Sequence, residues 1–73
     1  MKTGKYDKND KQIEEGDIIT FNTTSEHLEG KVYYDSQSAA FRINTDSGNY
    51  FLGGAGISDI EIIKKKLRTN PSV

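Results

Sequence analysis

The chain has 73 residues, a third of them hydrophobic, with no cysteine and a formal charge of −1. That length allows one domain, residues 1–73, around one thin core, because so short a chain hides only about 60% of the surface its unfolded form exposes. The missing cysteines exclude disulfides and thiolate-held metal, and the short apolar runs exclude a membrane-spanning helix, which needs roughly 20 residues.

In chain order, Lys8-Asn9-Asp10-Lys11 predicts a tight turn, because Asn and Asp tolerate positive φ. Ile13 then anchors a short return strand, so an N-terminal β-hairpin comes first. Gly16-Asp17 forms a corner: Gly permits a bend that a Cβ would block, and Asp bonds to nearby backbone N–H groups. Five strands follow, over Asp17–Asn22, Glu29–Asp35, Ala39–Asn44, Asn49–Leu52 and Asp59–Lys64. Each is rich in β-branched or aromatic residues with a period of two. Asp35–Ser38 and Thr45–Asn49 are the turn clusters between them. Lys64–Thr69 predicts a short turn or helix, ended at Asn70-Pro71 because a residue before proline avoids the α region. Five strands spaced about 8–12 residues apart predict an all-β fold, a five-stranded SH3-like antiparallel barrel behind an N-terminal hairpin extension. Alternation places Phe21, Tyr34 and Phe41 in the core and Tyr33 outside with Lys31 and Asp35. It requires one of Tyr50 and Phe51 to face outward.

The opening run, Thr3–Phe21, resembles the start of YopX-like proteins of phages and prophages. The matching residues are Thr3, Gly4, Asp7, Lys8, Asn9, Ile13, Glu15, Gly16, Asp17 and Ile18. The ending DIEIIKKKLRTNP is also similar, an apolar strand followed by a polar stretch and Asn-Pro. Asp10 departs from the family's turn glycine, and Lys64-Lys65 from an expected Gly-Asn pair. Residues 22–58 are shorter than in many members. The resemblance implies a small β-rich phage or prophage protein, and the absence of cysteine fits the reducing cytoplasm of a bacterial host. It implies no enzymatic activity and carries over no catalytic residue.

Charge is segregated. Residues 1–11 hold four Lys against Asp7 and Asp10; residues 12–63 hold Lys31 and Arg42 against nine acids; residues 64–73 hold Lys64, Lys65, Lys66 and Arg68 and no acid. The body is therefore acidic and both ends are basic. An acidic body repels a phosphate backbone, so nucleic-acid binding would run through the ends.

Few features point to chemistry. Glu14, Glu15 and Asp17 are the densest carboxylate cluster, but neighbouring strand residues point to opposite faces, and a solvated turn is the expectation. His27 is the one histidine, too few for a His-based metal site, so no metal and no cofactor are expected. Serines 25, 36, 38, 47 and 58 lack the strand–turn–helix elbow of a nucleophile. Gly53-Gly54-Ala55-Gly56 has neither the Lys-Ser/Thr of a phosphate loop nor a following helix, and is expected to be a connecting loop.

These residues favour binding over catalysis. The expected contact patch is Tyr33, Arg42, Tyr50 and Phe51, because Tyr and Arg are common interface anchors. Candidate anion contacts are Gly54, Gly56, Lys64, Lys65, Lys66 and Arg68. The expected partner is a host or phage protein, the expected role a non-enzymatic interaction module, and its concrete form an inhibitor of a host enzyme or defence factor. The alternatives are a nucleic-acid-binding barrel and a homo-oligomer that captures an anionic nucleotide. No membrane partner is expected.

Overall fold

The computed structural model describes residues 2–65, and those residues form no helix. Seven strands run in order: β1 (Lys2–Tyr6), β2 (Gln12–Glu14), β3 (Ile18–Asn22), β4 (His27–Asp35), β5 (Ala40–Thr45), β6 (Gly48–Phe51) and β7 (Ser58–Lys64). β1 and β2 are the hairpin; the other five make one antiparallel sheet ordered β6-β5-β4-β3-β7. The all-β class, the hairpin and the five strands expected from alternation are all present, with boundaries moved by one or two residues. β7 carries Lys64 as its last residue. The remainder of the expected C-terminal turn lies outside the described residues.

The core follows the inward positions of this sheet. Ile13, Ile19, Phe21, Val32, Ile43 and Leu52 are buried, and Leu28, Phe41, Tyr50, Ile57, Ile60 and Ile62 pack around them. Register explains the set. Ile19 lies opposite Ile62, Val32 opposite Ile43, and Ile43 opposite Tyr50, so one face collects the apolar residues of neighbouring strands. One expectation is corrected. Tyr34 is 36% exposed, not core. It shares a face with Val32 but pairs with Phe41 at the far end of β4, where its ring meets the Phe41 ring edge-on at 5.1 Å.

β4 is the organising strand. Its first half, His27–Lys31, pairs with β3 and its second half, Lys31–Asp35, with β5. Gly30 sits at the changeover, buried. A Cβ there would stand 2.6 Å from Ile43 Cγ2, 2.7 Å from the Asn44 carbonyl oxygen and 2.8 Å from Thr45 Cγ2. Only glycine lets β5 approach β4 this closely. On the opposite edge, β7 is irregular against β3, with shifts between Ile18 and Ile19 and between Thr20 and Asn22. Such bulges bend an edge strand and blunt it against further pairing.

The β4–β5 turn is capped by Asp35, which accepts from the Gln37 N–H at 3.0 Å and the Ser38 hydroxyl at 2.8 Å. Ala39 in this turn has φ of 53°, a left-handed conformation that costs a residue with a Cβ on the order of 1 kcal/mol. Its side chain is exposed. Ala39→Gly is therefore expected to raise stability by about 0.5–1 kcal/mol, read as a higher urea midpoint at unchanged slope. An unchanged or lower midpoint would show that the turn is unstrained.

Candidate site: an outward row of Tyr33, Arg42 and Phe51

The outer face of the sheet gathers the expected patch, with one exception. β4, β5 and β6 set Tyr33 opposite Arg42 and Arg42 opposite Phe51, so the three form a row across neighbouring strands. The Arg42 guanidinium lies over the Phe51 ring, 4.4 Å from its centroid, close enough for a cation–π contact. Its Nη1 donates to Asp35 Oδ2 at 3.2 Å. Arg42 Nε is buried and has no hydrogen-bond partner among the described residues. Ring and carboxylate thus hold the guanidinium in one pose. The Ser38 hydroxyl lowers the Asp35 pKa below the ordinary aspartate value; partial burial opposes it, and the Gln37 N–H and Arg42 add to the lowering. The carboxylate that positions Arg42 is therefore ionised at neutral pH. Phe51 remains 48% exposed, an aromatic held in place yet open to solvent.

Tyr50 does not belong to this row. It pairs with Ile43 on the inner face, and its ring meets the buried Phe21 ring edge-on at 5.4 Å. Alternation could not say which of Tyr50 and Phe51 turned outward; the register of β6 does.

The candidate anion contacts are not brought together as a set: Gly54 and Gly56 border one groove, and none of the described candidate lysines lines it. The Gly54 N–H donates to the Phe51 carbonyl at 3.0 Å, closing a turn. Gly56 is exposed. Lys65 Nζ donates to Asp17 Oδ2 at 2.9 Å and to the Gln12 carbonyl at 3.1 Å, so its charge serves the fold. Lys64 is exposed at the end of β7, and Lys66 and Arg68 lie outside the described residues.

The carboxylate cluster is also structural, and at Asp17 the expectation of a solvated turn is corrected. Asp17 is fully buried. Its Oδ2 accepts the Glu14 N–H at 2.8 Å as well as the Lys65 ammonium. Gly16, at φ of 96°, makes the bend; its N–H donates to the Val32 carbonyl, and the Val32 N–H donates to the Asp17 carbonyl. The Gly-Asp corner is thereby fastened to the middle of β4. His27 is exposed, and its ring Nδ1 meets the Asn22 side-chain oxygen. No group of three or more His, Cys, Asp or Glu among the described residues is placed to hold a metal.

Sequence reasoning missed Asp7. It is 5% exposed and staples the hairpin turn to β7: Oδ1 accepts the Asn9 and Lys11 N–H groups at 2.9 Å, and Oδ2 accepts the Ile62 N–H at 3.1 Å. Burial by itself would raise the Asp7 pKa; the N–H groups of Ile62, Lys11 and Asn9, with the Lys11 charge, outweigh it and hold the carboxyl below 3.8. A depressed folded value means the stabilisation is complete above the unfolded value and is lost as pH falls through the folded one. Stability is therefore expected to hold from pH 7 to about 4 with respect to this group and to fall below that. In Asp7→Asn the same acid limb is expected to be shallower, from a lower starting point, in urea titrations at stepped pH. Parallel limbs would show that Asp7 is not the linked group.

The chain matches no family model, no curated protein and no solved structure.

Proposed function

We propose that the chain is a non-enzymatic protein-interaction module, an SH3-like small barrel of the YopX-like phage and prophage kind, whose outer face binds a host or phage protein. The observation that carries this is the Tyr33–Arg42–Phe51 row. Arg42 is fixed between Asp35 and Phe51, and Phe51 is half exposed, so the contact surface is ordered before a partner arrives. Preorganised aromatic and Arg anchors lose little conformational entropy on binding and dominate interface energetics. The barrel form is supported by the division of β4 between β3 and β5, by the tight crossing at Gly30 and by the bulged β7. The acidic body favours a basic partner, which it would attract at long range. Inhibition of a host enzyme or defence factor is the concrete form this takes.

Affinity capture from bacterial lysate tests it. The wild-type chain is expected to retain a specific protein that Arg42→Ala retains at least about ten-fold less, the loss of one interface anchor. Arg42→Ala must keep its circular-dichroism spectrum for the comparison to count. Retention of the same proteins by both chains, or of none above background by either, would overturn the proposal.

A further inference from the structure

Two grooves adjoin the outward row, and neither the row nor the core accounts for them. The larger, about 450 Å³, lies between the hairpin and the ends of β5 and β6, bordered by Thr3, Lys5, Phe41, Phe51 and Leu52. The smaller, about 300 Å³, is bordered by Thr23, Thr24, Tyr50, Phe51 and Ile57. Phe51 and Gly54 border both.

We propose that the two grooves act as one trough for an extended segment of a partner protein, with apolar side chains at positions i and i+2 and a carboxylate side chain beside them. This rests on the reading of the chain as an interaction module and specifies what it grips. Apolar walls with few polar groups fit apolar side chains. The two recesses meet along a shared wall of Phe51 and Gly54. An extended chain can put one side chain on each side of that wall, since its same-face side chains recur every two residues, roughly 7 Å apart. A compact small molecule would occupy one recess and leave the other open.

The carboxylate follows from charge. Lys5 is the one charged residue on either lining, and its ammonium pairs with no carboxylate among the described residues. It reaches over Gly53, where an added Cβ would stand 3.6 Å from Nζ. A cation at the rim of an apolar groove favours an acid beside the apolar residues that enter it, a local preference that leaves the partner's overall basic charge unchanged.

The test is a library of random heptapeptides displayed on phage, panned against the immobilised chain, with enriched sequences then made as synthetic peptides. Enrichment of two apolar residues spaced i, i+2 next to Asp or Glu is expected. Lys5→Glu and Gly56→Gln are each expected to weaken the consensus peptide about ten-fold; a Cβ at Gly56 meets nothing within 4 Å, so that variant keeps the fold while narrowing the smaller groove. The exposed Glu29→Gln control should bind as wild type does. No enriched sequence, enrichment without the spacing, or a peptide insensitive to either substitution would overturn the trough. Capture of the lysate partner separates the two readings. A partner lost with Arg42→Ala but kept with Lys5→Glu leaves the interaction module standing and removes the trough.

Discussion

Gly30→Ala is expected to destabilise the chain by about 3 kcal/mol, the upper range for forcing a group into a filled interior. Strand propensity alone predicts the reverse sign, since glycine inside a strand costs roughly 0.5–1 kcal/mol relative to alanine. Sterics decide. The new methyl would lie 2.6–2.8 Å from two side-chain carbons and a backbone oxygen of β5. The side-chain carbons belong to branched residues with restricted rotamers, and the oxygen belongs to the chain itself, so relief requires β5 to move away from β4. That movement also loosens the Val32–Ile43 and Tyr33–Arg42 pairs. For a domain of this size the loss corresponds to a fall in melting temperature on the order of 12–24 °C. A melting temperature within about two degrees of wild type, far short of that fall, would mean that β4 and β5 do not cross as closely as described.

Asp17→Ala is the second large effect, about 2–3 kcal/mol. The substitution strands the Glu14 N–H and removes the carboxylate that holds Lys65. Breaking a fully buried ion pair costs more than this, but Lys65 is half exposed, and its ammonium returns to water at little cost. Asp17→Asn separates the two parts: its side-chain oxygen can still accept from Glu14, while the charge interaction with Lys65 is lost. The expected order of urea midpoints is wild type, then Asn, then Ala. Equal midpoints for all three would show that the corner is held by its backbone bonds alone, and would reopen a functional role for this carboxylate.

The sheet was legible because its strands alternate cleanly. Ile19 with Phe21, Val32 with Tyr34, and Phe41 with Ile43 each announce one inward face, and the Asp35 and Thr45 clusters announce the turns between them. Fewer of the details were legible, because they depend on residues far apart in the chain. Asp7 meets Ile62 across 55 positions and Asp17 meets Lys65 across 48, so the sequence gives Asp7 no role in the turn beside it and offers Lys65 as an anion contact. Gly30 looked like any glycine in a strand; only the approach of β5 gives it a role. Tyr34 alternated correctly but lies where the sheet runs out of cover. Several residues behind the YopX-like resemblance, among them Asp7, Gly16 and Asp17, build the hairpin and the corner. Their pattern therefore speaks to architecture more than to activity.

The same distinction explains the candidate site. Tyr33, Arg42 and Phe51 are 18 residues apart at their extremes, and they meet because β5 pairs with β4 on one side and β6 on the other. The basic residues suited to an anion are, where described, separated or engaged by the fold. Across β4, β5 and β6 the outer face carries an ordered aromatic–guanidinium row.

Cross-saturation from the unlabelled captured partner to the amide groups of the labelled chain tests the central claim most directly. The strongest transfer is predicted at Tyr33, Arg42 and Phe51, with the fastened corner at Gly16 and Asp17 unaffected. Transfer centred on that corner, or spread evenly over the acidic surface, would contradict it.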